Sequence, residues 1–517
     1  MSEASWHPEP DLVDYRDPTA RPALERLGAA AWETSLDYLY EQAMARPVGT
    51  DSYPELRRRF FGTPGGSADP GPGPAPKDPT ASAALLQEFR ERVAPYGFNA
   101  AHPRSFSYFT PAPLSLSVVG ELFAQWMNQG VDVWHAGPIG ALVEEEVVAW
   151  LRELVGYPDE GFGVLTSGGV MANVMGMTVA RDVHLARILG LSDPPRAADL
   201  ARARVYVSDQ AHFSIARALS FLGFPSETLR ILPSDERFRL HGDPVAEAVA
   251  GDRAAGLVPF AIAAVAGSTN TGSVDLTGEL ADVAAREGLW LHVDAAYGGG
   301  ARLSSRDADR VPDLDRADSV TIDPHKWFFQ AYDIGGLLVR RREDLLSTFR
   351  KDPEYYRSSR PQDEPLNWYQ YSFEGTRRFR ALKLWLSWKH LGSSGFGRLV
   401  EANDDLAAYL ARRCAEADDF EATPAVPELS VVCFRHLPPA VAGDAALADR
   451  YQDALQRALE VSGRAWLSTT TLRGRTYLRA GVMNHLSRPS DIDEVIDALR
   501  DLSPQALAAA SDGSGPA

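Results

Sequence analysis

Lys326 lies in Asp323-Pro324-His325-Lys326-Trp327, directly after the apolar, β-branched run Ser319 to Ile322 and ahead of an aromatic cluster. A lysine at the end of a buried strand, wrapped in aromatic rings, loses hydration. That loss lowers its pKa and leaves a neutral amine able to attack an aldehyde. Taken alone, a strand-end lysine more often reaches solvent. A second motif changes the odds. In Leu291-His292-Val293-Asp294-Ala295-Ala296-Tyr297-Gly298 an aspartate ends another apolar run and small residues follow it.

An amine and a carboxylate, each at the C-terminal end of a strand, are the two groups that pyridoxal phosphate (PLP) needs. The lysine forms a Schiff base with the aldehyde, and the carboxylate keeps the pyridine nitrogen protonated so that the ring can take up a carbanion's electrons. The pair, in this order and with this intervening sequence, resembles the PLP-dependent group II amino-acid decarboxylase family, which contains aromatic-L-amino-acid decarboxylase. The resemblance runs from roughly His102 to Asn484. It implies an α/β protein of the PLP-dependent transferase fold type I (aspartate aminotransferase-like). Such a protein has a large domain with a mostly parallel seven-stranded sheet, a small C-terminal α+β domain and an N-terminal helical segment. It also implies a homodimer with shared active sites.

The elements that must position these residues follow from periodicity. Between Phe162 and Arg340 short apolar runs alternate with helical stretches, the mark of a parallel sheet with crossover helices. The expected strands are Gly163–Thr166, Val205–Ser208, Leu229–Leu232, Ala261–Ala266, Leu289–Val293, Ser319–Ile322 and Gly336–Arg340. Ligands of such sheets bind beyond the strands' C-terminal ends. Upstream, helical patterns cover Pro22–Ala45 and Ala83–Val93, separated by a Pro/Gly-rich loop over 62–79. An amphipathic helix is expected over Val143–Val155, stopped by Gly156 and Pro158. Helical and strand segments alternate again from Leu399, with strands expected at Ser430–Phe434 and Thr476–Val482. The expected division is an N-terminal helical segment over 1–105, a PLP-binding domain over 106–398, a small domain over 399–502 and a disordered tail over 503–517.

Each further motif falls at a strand end. Thr166-Ser167-Gly168-Gly169-Val170-Met171-Ala172-Asn173 reads as strand, glycine turn and helix start, whose free N–H groups make an anion site. By resemblance it holds the cofactor phosphate, with Gly169 and Val170 in contact; Val170 replaces a common serine, so its N–H must serve alone. In Ser208-Asp209-Gln210-Ala211-His212-Phe213-Ser214, His212 is either a helix-capping residue or, by resemblance, the ring that stacks on PLP and faces the substrate carboxylate. The resemblance assigns Thr269, Ala296 and His325 to the cofactor, and His325 also to substrate. Asp323 stands where an asparagine is common, and a carboxylate cannot donate to phosphate unless protonated or bridged by water. Tyr108 and Phe109, in the polar-aromatic stretch His102–Pro111, are either walls for an aromatic substrate or local packing. Thr376, ahead of the positive run Arg377–Lys383, reaches a neighbour's phosphate in the family; the run itself could be a solvated face. Arg479 is either a substrate-carboxylate partner or part of an ion pair.

The charged, proline-flanked stretch Arg350–Pro361 resembles the family's mobile catalytic loop, which closes over the site and excludes water. Tyr355 matches the tyrosine that protonates the carbanion, Tyr356 beside it could compete, and His212 is the other group that could deliver the proton. Phenylalanine at that position accompanies oxidative aldehyde synthesis instead. Gly130–Trp134 lacks a phenylalanine expected in the pocket, which leaves substrate identity open.

The chain has 517 residues, 45% of them hydrophobic, and a net charge of −18. The negative balance opposes nucleic acid and anionic membrane as partners. Two cysteines, Cys414 and Cys433, fit a reducing cytoplasm and have no metal-site spacing. No apolar run is long enough to span a bilayer, and no signal peptide is read. The expected activity is PLP-dependent decarboxylation of a small-molecule amino acid, aromatic in the leading reading, by a cytoplasmic carboxy-lyase without metal. The alternatives are aldehyde synthesis on the same scaffold, decarboxylation of a non-aromatic amino acid, and a non-catalytic protein on a PLP fold.

Overall fold

The computed structural model describes residues 15–62, 71–351 and 366–512. Contacts divide the chain into two units. The larger holds 106–452 and 468–485; the other holds 1–105, 453–467 and 486–517.

The larger unit is built on runs buried on both faces, which is what a sheet covered by crossover helices requires. Its strands are β1 (Phe162–Thr166), β2 (Ala203–Ser208), β3 (Leu229–Leu232), β4 (Val258–Val265), β5 (Trp290–Asp294), β6 (Ser319–Ile322) and β7 (Gly335–Val339). They lie in the order β1-β7-β6-β5-β4-β2-β3. Neighbours from β3 to β6 pair in parallel, while β7 is antiparallel to both β6 and β1. All seven expected strands are present, with ends displaced by three residues or fewer. β4 begins earlier than expected because it tolerates Pro259: pairing with β2 shifts register there, so the missing N–H falls at an irregularity. The C-terminal ends of β1, β4, β5 and β6 share one edge of the sheet, and Gly335 opens β7 opposite Thr166.

A helix over Pro138–Val155 covers β1 and starts five residues before the expected Val143, with Pro138 in its first turn. It ends at Gly156 with φ 81°, as its glycine stop requires. Glu144 on this helix is fully buried and paired with Arg377. The run Arg377–Lys383 is therefore no solvated face. Arg377 and Lys383 are each 1% exposed in their side chains, and Arg380 is buried against Glu374 and Asp333. Carboxylates inside the fold draw the cations in, and charges are buried when paired.

A second, four-stranded antiparallel sheet has the order β10-β11-β9-β8, from β8 (Phe420–Thr423), β9 (Val431–His436), β10 (Ser468–Leu472) and β11 (Arg475–Gly481). β9 and β11 match the two expected strands with ends displaced by two residues or fewer; β8 and β10 are short and half-exposed, too weakly patterned to see in advance. All four group with the larger unit, whereas 453–467 and 486–512 group with the N-terminal helices, so 399–502 is divided between the units.

In the second unit, helices cover Arg21–Asp37, Tyr53–Phe61 and Ser82–Arg92, and residues 71–81 form no regular element. Of the expected tail, residues 503–511 are helical instead: Pro489–Ser511 is one helix, since Ala506 and Ala510 are buried and its last turns are rich in leucine and alanine. No helix among the described residues is long and apolar enough to cross a membrane.

Candidate active site

The sheet's C-terminal edge opens into a cavity of about 400 Å³. Nine expected residues line it: Gly169, Val170, His212, Thr269, Asp294, Ala296, Asp323, His325 and Lys326. Ser167 and Gly168 carry the chain from β1 into the helix Gly169–Val179, whose first turn points into the cavity. His212 caps the helix Phe213–Phe221 after β2. Asp294 is the last residue of β5, and Lys326 lies four residues beyond the end of β6.

Asp294 is 7% exposed. Its Oδ2 accepts from Asn173 Nδ2 at 2.7 Å and its Oδ1 from the Ala296 N–H at 3.2 Å, which fixes the carboxylate plane. Lys326 Nζ lies 3.1 Å from Asp323 Oδ2, and its side chain is 22% exposed. Burial pulls its pKa down, but Asp323 and Asp294 outweigh burial and the net direction is upward. The sequence-based expectation of a lowered lysine pKa is thereby corrected for the protein without cofactor: the aspartate three residues earlier supplies a counter-charge that desolvation alone does not anticipate. His325 Nδ1 accepts from the Ile334 N–H, and its Nε2 lies 3.6 Å from Asp323 Oδ2. His212 and His325 are both held below the usual histidine range, chiefly by burial.

Other expected residues stand elsewhere. Phe109 is not a wall of the cavity but a layer behind it, stacked on the cavity-lining Tyr297 with centroids 4.3 Å apart. Tyr108 alternates away from it and is 59% exposed. Arg479 forms no ion pair among the described residues. It donates to the carbonyls of Thr269 at 2.7 Å and Ser107 at 2.8 Å and lies over Phe109, so it braces the cavity from outside. Burial lowers its pKa. Thr376 is exposed and does not line this cavity. Tyr355 and Tyr356 lie outside the described residues.

Among the lining residues that carried no expectation are Asn173, Phe213 and Tyr297. Asn173 was visible in principle, as a lone amide inside the apolar helical run Met171–Met175. Tyr297 lay within the aspartate motif, but packing alone turns its ring to the cavity.

The cavity fits PLP on three observations. The backbone cradle has no room to spare: a Cβ on Gly169 would fall 2.7 Å from Asp323 Oδ2, and one on Gly335 would fall 2.4 Å from the Gly168 Cα. Asp323 Oδ1 is buried without a hydrogen-bond partner. An amine, a buried carboxylate and a helix N-terminus also converge here, which matches an aldehyde, a pyridinium and a phosphate.

The comparisons agree. Residues 64–437 match the model described as the pyridoxal-dependent decarboxylase conserved domain. An aromatic-L-amino-acid decarboxylase of Bacillus atrophaeus is 35% identical over 404 residues, covering 78% of this chain and 81% of the relative. An L-2,4-diaminobutyrate decarboxylase of Rhizobium meliloti (strain 1021) is 31% identical over 438 residues, covering 82% and 83%. The crystal structure of Oryza sativa TDC with PLP and tryptamine superposes with a TM-score of 0.86 at 26% identity, covering 95% of this chain and 99% of that one. With its lysine, aspartate and glycine cradle converging on one cavity, this chain belongs to the pyridoxal-dependent decarboxylase family: it is a PLP-dependent carboxy-lyase of fold type I.

Proposed function

We propose that the enzyme decarboxylates an aromatic L-amino acid to its amine and CO2, in the cytoplasm and as a homodimer. The observation that carries this reading is the convergence of Lys326, Asp294 and His212 on a cavity also lined by Phe213 and Tyr297. The identity to an aromatic-L-amino-acid decarboxylase supports the substrate class.

When bound, PLP supplies an aldehyde carbon for an amine and an electron-accepting ring. Lys326 Nζ is the amine that would hold it. Asp294 would keep the pyridine nitrogen protonated. The N–H groups of Gly169 and Val170, with His325, would take the phosphate, Thr269 would contact the cofactor near Asp294, and Ala296 leaves room for the ring. Asp323 cannot donate to phosphate; it holds the positive charge of Lys326. His212 would lie against the ring and set the direction of the substrate carboxylate, because orientation selects which bond breaks. Tyr355 is the assigned donor of the proton that replaces CO2, and Thr376 is assigned to the second copy's site. Exposed Val118, Leu122 and Phe123 on the helix Ser115–Met127, with Ile139 and Leu142, supply an apolar face for pairing.

The test is reconstitution with PLP followed by CO2 release over a panel of L-amino acids. Equal amounts of CO2 and amine, greatest with tyrosine, phenylalanine or tryptophan, are expected. A preference for acidic or diamino acids overturns the substrate class. CO2 accompanied by aldehyde and peroxide overturns the reaction.

A further inference from the structure

A buried hydrogen-bond chain runs beneath the cavity, and its polarity can be assigned group by group. The Trp290 indole N–H can only donate, and it donates to Ser319 Oγ at 2.9 Å. Ser319 Oγ also lies 2.8 Å from His292 Nδ1. Asn173 Oδ1 can only accept, so His292 Nε2 carries the proton and donates to it at 2.9 Å, which leaves Nδ1 of the neutral ring to accept from Ser319; Thr321 Oγ1 donates to the same Asn173 oxygen at 2.7 Å. The two amide hydrogens of Asn173 go to Asp294 Oδ2 at 2.7 Å and Ser214 Oγ at 2.8 Å. Asp294 fixes the same amide orientation independently, since a carboxylate oxygen at 2.7 Å accepts a donor and repels a carbonyl. Ser214 Oγ lies 2.7 Å from His212 Nδ1, and with that oxygen accepting from Asn173 its own proton is favoured toward the nitrogen. The Ser214 backbone N–H points at that nitrogen too, at 3.3 Å. Trp290, Ser319, His292, Asn173, Thr321 and Ser214 are all 1% exposed or less, so water does not compete for these bonds.

We propose that Asn173 is a positioning residue for the decarboxylation: through Ser214 it locks His212 in the Nε2–H tautomer, so that the ring presents a hydrogen-bond donor to the substrate carboxylate. This rests on the proposed reading of the cavity. It also separates two roles. Loss of the Nε2 proton would leave an imidazolate, and a proton gained at Nδ1 would set N–H against N–H. His212 therefore orients the carboxylate, and the proton that replaces CO2 comes from another group. The charges facing His212 divide: Asp294 and Asp323 favour its protonation, Lys326 and Arg217 oppose it, and burial carries the balance toward the neutral ring.

The test is NMR of the holoenzyme, and of the same protein without PLP, labelled with 15N in the histidine rings and assigned through His212→Gln. A bare Nδ1 and a protonated Nε2 are expected at neutral pH. Asn173→Leu removes the donor that competes for the Ser214 oxygen and so favours acceptance from Nδ1: a second tautomer should appear and the titration of His212 should rise by about one pH unit, a tenfold change in protonation. Ser214→Ala should act in the same direction, and Ser214→Thr should restore the parental signals. A role in packing alone would not distinguish threonine from alanine in this way. An Nδ1–H ring in the parent overturns the proposal. So do parental tautomer and titration in whichever of Asn173→Leu and Ser214→Ala folds. Failure of the decarboxylase reading shows separately, as absence of CO2 release while the tautomer signals stand.

Discussion

At the scale of single residues, Lys326 is governed by the carboxylate three positions before it. Asp323 Oδ2, 3.1 Å from Nζ, holds the amine as a cation, although the nucleophile is the neutral form. Asp323→Asn removes the main force that raises the lysine pKa and leaves burial, which lowers it. Stopped-flow absorbance of apoprotein mixed with PLP should show capture in the variant reaching its plateau at lower pH than in the parent. Unchanged pH dependence would mean that Asp323 does not set this charge. The role assigned to Tyr355 is checked by Tyr355→Phe: product analysis should move from amine toward aldehyde, with oxygen consumed, and amine formation at the parental rate would transfer the role to Tyr356.

At the scale of elements, the helix Pro138–Val155 and the segment that leads into the helix Ala381–Ala415 are tied to β1 through a buried ion pair. Arg377 donates to Glu144 and to the carbonyls of Val131 and Leu165, and Glu144 accepts from the Leu165 N–H. Glu144 Oε2 has no partner, and burial already raises its pKa. Arg377→Met leaves that carboxyl without its cation and should cost about 3–5 kcal/mol, read from urea unfolding. The sign with pH follows from linkage. Where the folded pKa exceeds the unfolded one, the folded state holds the extra proton, and stability falls as pH rises through the folded value. The deficit of Arg377→Met should thus be smallest in acid and grow toward neutrality. A pH-independent deficit would assign the loss to packing. Sequence showed both residues, yet their partnership was invisible, because positions more than 200 residues apart meet only when the sheet forms.

At the scale of the whole molecule, the exposed apolar face around Leu122 sits on the unit that carries the cavity. In the proposed homodimer a charge there opposes association, so Leu122→Lys should shift sedimentation velocity toward the monomer and reduce decarboxylation on dilution. A parental sedimentation profile would place the interface elsewhere. The sequence by itself determined the seven strands, because buried parallel strands are short continuous apolar runs between helical stretches. It also determined the lysine, the aspartate and the glycine turn, because each is bound to a strand's C-terminal end, where this architecture binds ligands. Tertiary structure alone decided the rest. The charge on Lys326 depends on how close Asp323 and Asp294 lie. Arg479 is spent on two carbonyls that its own segment does not contain, and Phe109 falls one layer behind Tyr297. The tautomer of His212 is set by a chain that begins at an indole on β5. Such features depend on distances and donor directions between distant segments, which periodicity and motif spacing do not encode.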